Sequence, residues 1–393
     1  MNGRRSAMAG AGGAAVAAAA VVALTTVLLG CSVAQPVSTT QEVLFVTSAQ
    51  GGQGMVSSYL VDASTGALTE APWSPVSTGG TVGPTAVSLA LVRGGRFLYA
   101  ANPASGDPAV AGFYVDALTG ASHPLPLFST APFNNPNVVA AGPGGDILLV
   151  DSTLSGNLAS FRVDPGAGTL TALASVTVSA TNPMSTVAVD PAGSYVYTTI
   201  SSSVIGGWLL DPVTGIAANP SFTGVTSGGS APVSAVIDRQ GRMYYITDGT
   251  GRIEGYSIAA STGALTLLFQ STSLPQGGPS RVVIDPTGRY LYSVDVSGGT
   301  VSAYSINYAT GALSPVGSPV AIPGTQSGPV QPVVDASGAF LYASQGAGGS
   351  DFYCFALDTS TGAVVAGSAV KTTIPGATSI AAMIAGTVTV PAH

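Results

Sequence analysis

The sequence predicts an all-β fold, a seven-bladed β-propeller of four-stranded blades, on three observations. A "TG"-type turn recurs seven times, at Gly66, Gly120, Gly168, Gly215, Gly263, Gly311 and Gly362, at spacings of 47 to 54 residues. Between these turns the chain reads as short strands of alternating apolar residues, such as "RYLYSV" and "TVSAYSIN". Turn formers abound (52 Gly, 27 Pro) in a chain that is 46% hydrophobic, which is too apolar for disorder and too rich in turns for helices. A repeat of this length with several strands describes blades that bury their faces only against one another.

Residues 280–317 give the pattern of one blade. "SRVVID" is the inner strand, "DPTG" turns it into "RYLYSV", "DVSGG" leads to "TVSAYSIN", and "YATG" turns into the outer "ALSPV". Gly supplies the positive φ that tight hairpins need. An Asp a few residues earlier can hold the turn backbone through its carboxylate. Asp62, Asp116, Asp164, Asp211 and Asp358 precede the TG turns, with Asn307 standing in once, and Asp190, Asp238, Asp285 and Asp335 open the first turn. These nine of the 18 acids are expected to cap turns rather than to do chemistry.

The two ends of the repeat explain each other. The first copy starts at "VLFVTSAQ", Val43 to Gln50, which matches a second strand and leaves its blade without an inner one. The last segment, Ala377 to Gly386, reads as an inner strand with no blade to follow. The C-terminal strand is therefore expected to complete the N-terminal blade, a closure that removes open sheet edges. The organisation read from the sequence is an export signal at 1–30, a linker at 31–42, the propeller at 43–386 and a tail at 387–393.

Arg4 and Arg5, with no acid nearby, precede an Ala/Val/Leu run that ends in "LLGC" at Leu28 to Cys31. A basic start and an apolar run read as an export signal. "LLGC" resembles the bacterial lipobox, which implies cleavage before Cys31 and its lipidation. The alternative is an uncleaved membrane helix, since Ala9 to Leu29 is long enough to span. Either reading places the body outside the cytoplasm, at the cell membrane or outer membrane. With 11 basic and 18 acidic residues and a single lysine, Lys371, the chain lacks the clustered cations that a nucleic-acid partner requires. Cys354, in the alternating "DFYCFALD", is expected to be a buried, inert thiol.

Consecutive strands run in opposite directions, so the ends of the second strands and the starts of the inner strands meet on one face. The repeats align Ser48, Asn102, Asp151, Ile200, Asp248, Asp295 and Gln345 at the second-strand ends. They align Thr85, Asn137, Ser185, Ser234, Arg281, Gln331 and Ser379 near the inner-strand starts. A polar ring at the mouth of an apolar-walled channel is the expected binding site for a small molecule or a protein. Its candidate residues are Asn102, Asn137, Asp151, Asp248, Arg281, Asp295, Gln331 and Gln345. No cofactor is called for, although Asp151, Asp248 and Asp295 are oxygen donors of the kind a divalent cation takes.

The segment "GPSRVVIDPTGRYLYSVDVSGGTVSAYSINYATGAL" resembles the lactonase family of seven-bladed propellers, which includes bacterial 6-phosphogluconolactonase and a fungal muconate cyclase. The likeness runs over all seven units. The resemblance implies the propeller fold and, as an alternative to binding alone, ring opening of a lactone by an activated water. Family enzymes look like "GPRH" at one inner-strand start and "NE" at the end of the following strand. This chain has Gly278, Pro279, Ser280 and Arg281 in the first, and Asp295 and Val296 in the second. The implied acid–base residues are thus replaced, which leaves Asp295 or Asp248 as a candidate base and Arg281 as a candidate oxyanion donor. Arg281 and Asp295, from adjacent strands, are expected to pair. An ordinary Asp is a weak base at neutral pH, and His123, on an outer strand, is not at the mouth.

Overall fold

The computed structural model describes residues 40–79, 88–103, 109–126, 136–152, 156–178, 186–201, 203–222, 224–228, 232–248, 251–271, 280–295, 298–324, 332–344 and 349–389. They form seven antiparallel sheets, one for each blade, and no helix is found among them. The blade predicted at 280–317 consists of Ser280–Ile284, Tyr290–Asp295, Thr300–Ile306 and Leu313–Ala321, paired in that order. In blades 1 and 4 the outer strand is broken in two, and both pieces pair with the third strand. Pro72 and Pro75 flank the break in blade 1, where a residue without an N–H cannot continue a ladder.

The ring closes as the sequence implies. Ala377–Thr389 is the inner strand of blade 1 and pairs antiparallel with Thr40–Gln50, the second strand. The pairing reaches Thr40 opposite Thr389, three residues beyond the expected ends on both sides. Glu42, in this extension, is buried and accepts the Ala336 N–H of blade 7 at 2.7 Å. Burial pushes its carboxyl up, against the lowering effect of that bond.

Side chains alternate across each strand, so every blade feeds two joints. Seven buried clusters fill the seven joints: for example, Tyr244 and Ile246 of blade 5 pack with Tyr197 and Ile205 of blade 4, while Met243 and Tyr245 pack with Val282 and Leu291 of blade 6. The repeated phrase joins blades as well as turning strands. Tyr99, Tyr197, Tyr245 and Tyr342 each donate their hydroxyl to the carbonyl of the next blade's turn glycine, Gly168, Gly263, Gly311 and Gly66, at 2.5 to 3.3 Å. Gly263 has φ +69° and lies against the ring of Tyr195, so that an added Cβ would sit 2.4 Å from it. The turn therefore needs glycine twice over, for its backbone and for the aromatic beneath it.

The turn acids do what their positions imply. The Asp211 carboxylate accepts the Val213 and Thr214 N–H groups at 2.7 Å, and these donors lower its pKa. Asp285 accepts from Tyr290 N at 2.7 Å, and Asp335 from Phe340 N at 2.8 Å. Cys354 is buried beside Tyr342, with its thiol pushed up to about 11 by burial.

Candidate functional site

Most mouth residues are committed to the frame. Asn102 is buried and donates its Nδ2 to the Thr78 carbonyl of blade 1 at 3.0 Å. The Ser48 hydroxyl accepts from Gln50 Nε2 at 2.9 Å. The Ser234 hydroxyl accepts the Val282 N–H of the next blade's inner strand at 3.2 Å. The Asp248 carboxylate accepts from Arg252 N at 2.9 Å, and that of Asp295 from Gly298 N at 3.1 Å, so each holds the turn that follows its own strand. Ser379 lies in the closing strand opposite Ala49. Gln331, Gln345, Thr85, Ser185 and Cys31 lie outside the described residues.

Arg281 and Asp295 do not pair. The register sets Asp295 opposite Ser280 and Arg281 opposite Val294, so the two are not cross-strand partners. Arg281 instead donates Nη1 to the Val233 carbonyl of blade 5 at 2.9 Å, and burial lowers its guanidinium from the usual value. The ion pairs among the described residues are Arg93–Asp146 and Arg242–Asp238, on turns at the end opposite the mouth, and Lys371–Asp351, on the two outer strands of blade 7.

Asp151 departs from the ring in register. Seven residues separate the turn glycines Gly95, Gly193, Gly241 and Gly288 from Asn102, Ile200, Asp248 and Asp295, but only six separate Gly145 from Asp151. Ser152 is the true equivalent, and Asp151 is one residue short. A one-residue offset reverses the face of a strand. Asp248 shares a face with Tyr244 and Ile246, toward blade 4, and Asp295 shares one with Leu291, toward blade 5; both look to the preceding blade. Asp151 follows Ile147 and Leu149, which pack on blade 4, the following one. The three carboxylates therefore do not converge, and among the described residues no group of three or more His, Cys, Asp or Glu is arranged to hold a metal.

Asp151 is 0% exposed. Its Oδ1 accepts the N–H groups of Asn137 and Val138, both at 2.6 Å, just ahead of the inner strand Val139–Ala141. Its Oδ2 is buried and has no hydrogen-bond partner. Burial pushes the carboxyl up to about 7, with the backbone N–H donors pulling the other way. This supplies the feature whose absence made an ordinary Asp a poor base.

Sequence reading missed Glu254. It is 0% exposed, near the mouth end of blade 5, and its Oε1 accepts from Gly228 N at 2.7 Å and from Gln270 Nε2 at 2.8 Å. Its Oε2 accepts from the Tyr256 hydroxyl at 2.5 Å. The signal was available: in "RIEGYSI" this acid shares its alternation phase with Tyr256, a buried aromatic. With three donors in place, Glu254 reads as a tie between the loop, the third strand and the outer strand.

The family model described as "Lactonase, 7-bladed beta-propeller" matches residues 110–375, more than half of the chain. No curated protein sequence matches the chain. Among solved structures, the periplasmic gluconolactonase of Pseudomonas aeruginosa is similar over 90% of this chain and 100% of its own, at 16% identity and a TM-score of 0.68. A Bacteroides fragilis protein described as a candidate 6-phosphogluconolactonase matches over 87% of this chain and 97% of its own, at 16% identity and a TM-score of 0.68. A Lactobacillus plantarum protein matches over 89% of this chain and 99% of its own, at 16% identity and a TM-score of 0.70. At such identity these likenesses speak for the fold. The chain belongs to the lactonase family of seven-bladed β-propellers.

Proposed function

We propose that this protein is an exported propeller, tethered to a membrane through lipidated Cys31, that takes a small lactone or a similar hydroxylated molecule at its mouth. The observation that carries this reading is Asp151 at the mouth end, a carboxyl 0% exposed whose Oδ2 the frame does not use, in a chain with only 18 acids. Buried carboxyls are costly to keep, and they are the groups that recognise ligand hydroxyls. The export reading draws on the N-terminal sequence and on the likeness to a protein described as a periplasmic gluconolactonase. Binding alone suffices for a sensor or carrier. Ring opening is the second reading, favoured by one observation, the perturbed carboxyl of Asp151.

The test is a screen of full-length protein, purified in detergent, against a panel of sugar lactones, with and without divalent cations. Heat of binding and acid release are read together. Binding or turnover of at least one lactone is expected. A protein inert toward the whole panel would remove the mouth reading. Cys31→Ala should separately abolish acylation and block cleavage before position 31. Normal processing of that variant would favour the spanning helix.

A further inference from the structure

We propose that Asp151 is the proton acceptor of the mouth, its Oδ2 taking the proton of a water that attacks the carbonyl of a bound lactone. The inference rests on the lactone reading above. It starts from a comparison that the repeat itself provides. The position of Asp151 is occupied in the other blades by Thr47, Ala101, Thr199, Thr247, Val294 and Ser344, all uncharged. Thr47 shows what the frame asks of it: its hydroxyl accepts the Ala382 N–H of the inner strand at 2.9 Å. In Asp151 the Oδ1 atom alone does the corresponding work, with bonds to Asn137 N and Val138 N. The second oxygen is surplus to the frame, yet it is buried without a partner. A buried unpaired acceptor calls for an explanation, and a carboxylate in place of a threonine gives one.

The electrostatics agree with this role. The strands packed around Asp151 include Val139–Ala141, Asn157–Val163 and Ser88–Val92, and Val187 and Val189 of Val187–Val189 join the cluster of Ile147 and Leu149 on its face. Their one charged side chain, Arg162, pairs with Ile147 at the far end of the hairpin, and Tyr195 and Tyr197 of blade 4 face blade 5. Burial, opposed by the backbone N–H donors, therefore sets a value near neutrality, where a general base is most effective.

The step balances without any further reactant. The water oxygen bonds to the lactone carbonyl carbon as its proton passes to Oδ2. The tetrahedral intermediate then expels the ring oxygen, and the proton on Asp151 passes to that leaving alkoxide. The products are a hydroxy acid and a regenerated carboxylate. Because Oδ2 is enclosed, the attacking water must reach it at the mouth end of the strand Ile147–Ser152.

The experiment uses full-length protein in detergent with gluconolactone as probe, and compares wild type, Asp151→Asn and Asp151→Thr. The threonine variant restores the residue that three sister blades carry, so the inner strand keeps a hydroxyl acceptor. Wild-type turnover should rise with pH about a midpoint near 7. Both variants should lose about 10²-fold or more in kcat while still binding the lactone. Carbon NMR of labelled aspartates should show one carboxyl titrating near 7 in wild type and none in either variant. Wild-type rates in either variant, or no aspartate titrating near 7, would overturn the assignment. A wild type that binds the lactone without opening it overturns the assignment but leaves the mouth as a binding site. A wild type that neither binds nor opens it overturns the assignment, and one inert toward the whole lactone panel overturns the mouth reading as well.

Discussion

Asp151 carries a pH signature that needs no ligand to be measured. Its folded value of about 7 lies above its ordinary value of 3.8, so between these limits the folded state holds a proton that the unfolded chain has released. The stability it contributes is complete below about pH 4 and is lost as pH rises to about 7, by at most about 4 kcal/mol. Asp151→Asn, which cannot ionise, should flatten the fall in urea midpoint between pH 5 and pH 8. An identical pH dependence in wild type and variant would contradict the burial argument. Glu254 gives the contrasting case of a carboxylate that the frame uses fully. Glu254→Leu strands the donors of Gly228, Gln270 and Tyr256, and should cost about 3–5 kcal/mol. Glu254→Gln keeps the shape and an acceptor and should cost less. Equal urea midpoints for the two variants would show that Glu254 is not the tie described.

At the scale of the element, the TG turn and the aromatic second strand form one device shared between neighbouring blades. Tyr197→Phe removes one hydrogen bond to the Gly263 carbonyl and should cost about 1 kcal/mol. Gly263→Ala must also force a Cβ against Tyr195 at a positive φ, and should cost about 1–3 kcal/mol or more. The sites share a contact, so the double variant should deviate from additivity; additive losses would mean that hydroxyl and turn act independently. How much of this was legible follows from sequence distance. The turn itself was, because Gly and its capping Asp lie within a few residues of each other. The joint was not, because Tyr197 and Gly263 stand 66 residues apart and single-repeat patterns carry no information about that pairing. The mouth was legible as a ring of polar positions, but its chemistry hung on register. Blade 3 lacks the opening Asp that anchors the alignment in blades 4 to 7, having Gly142 in its place, and the resulting one-residue slip hid the face toward which Asp151 turns. The same limit applied to Arg281, whose partner is a main-chain carbonyl and leaves no mark in composition.

At the scale of the whole molecule, the ring depends on its last strand more heavily than a closing seam would suggest. Ala377–Thr389 does not merely pair with the edge of Thr40–Gln50. It sends Ile380 and Met383 into the joint with blade 7, and Ala382 and Val388 into the joint with blade 2, all of them buried. The Thr387 carbonyl also lies beneath Gly95 of blade 2, where a Cβ would come within 2.5 Å of it. Two truncations separate these contributions. Ending the chain after Gly386 removes the pairs of Thr387, Val388 and Thr389 with Glu42, Gln41 and Thr40, together with one buried valine, which is worth about 1.5–3 kcal/mol by itself. That variant should fold and melt several degrees lower. Ending the chain after Gly376 opens both joints of blade 1 and exposes a complete strand edge, the arrangement that recruits other chains. It should aggregate on expression or lose its cooperative transition. Scanning calorimetry on the first variant and size-exclusion chromatography on the second decide the matter. A shorter chain that stays monomeric and melts like the full one would mean that closure is not what makes the ring cooperative.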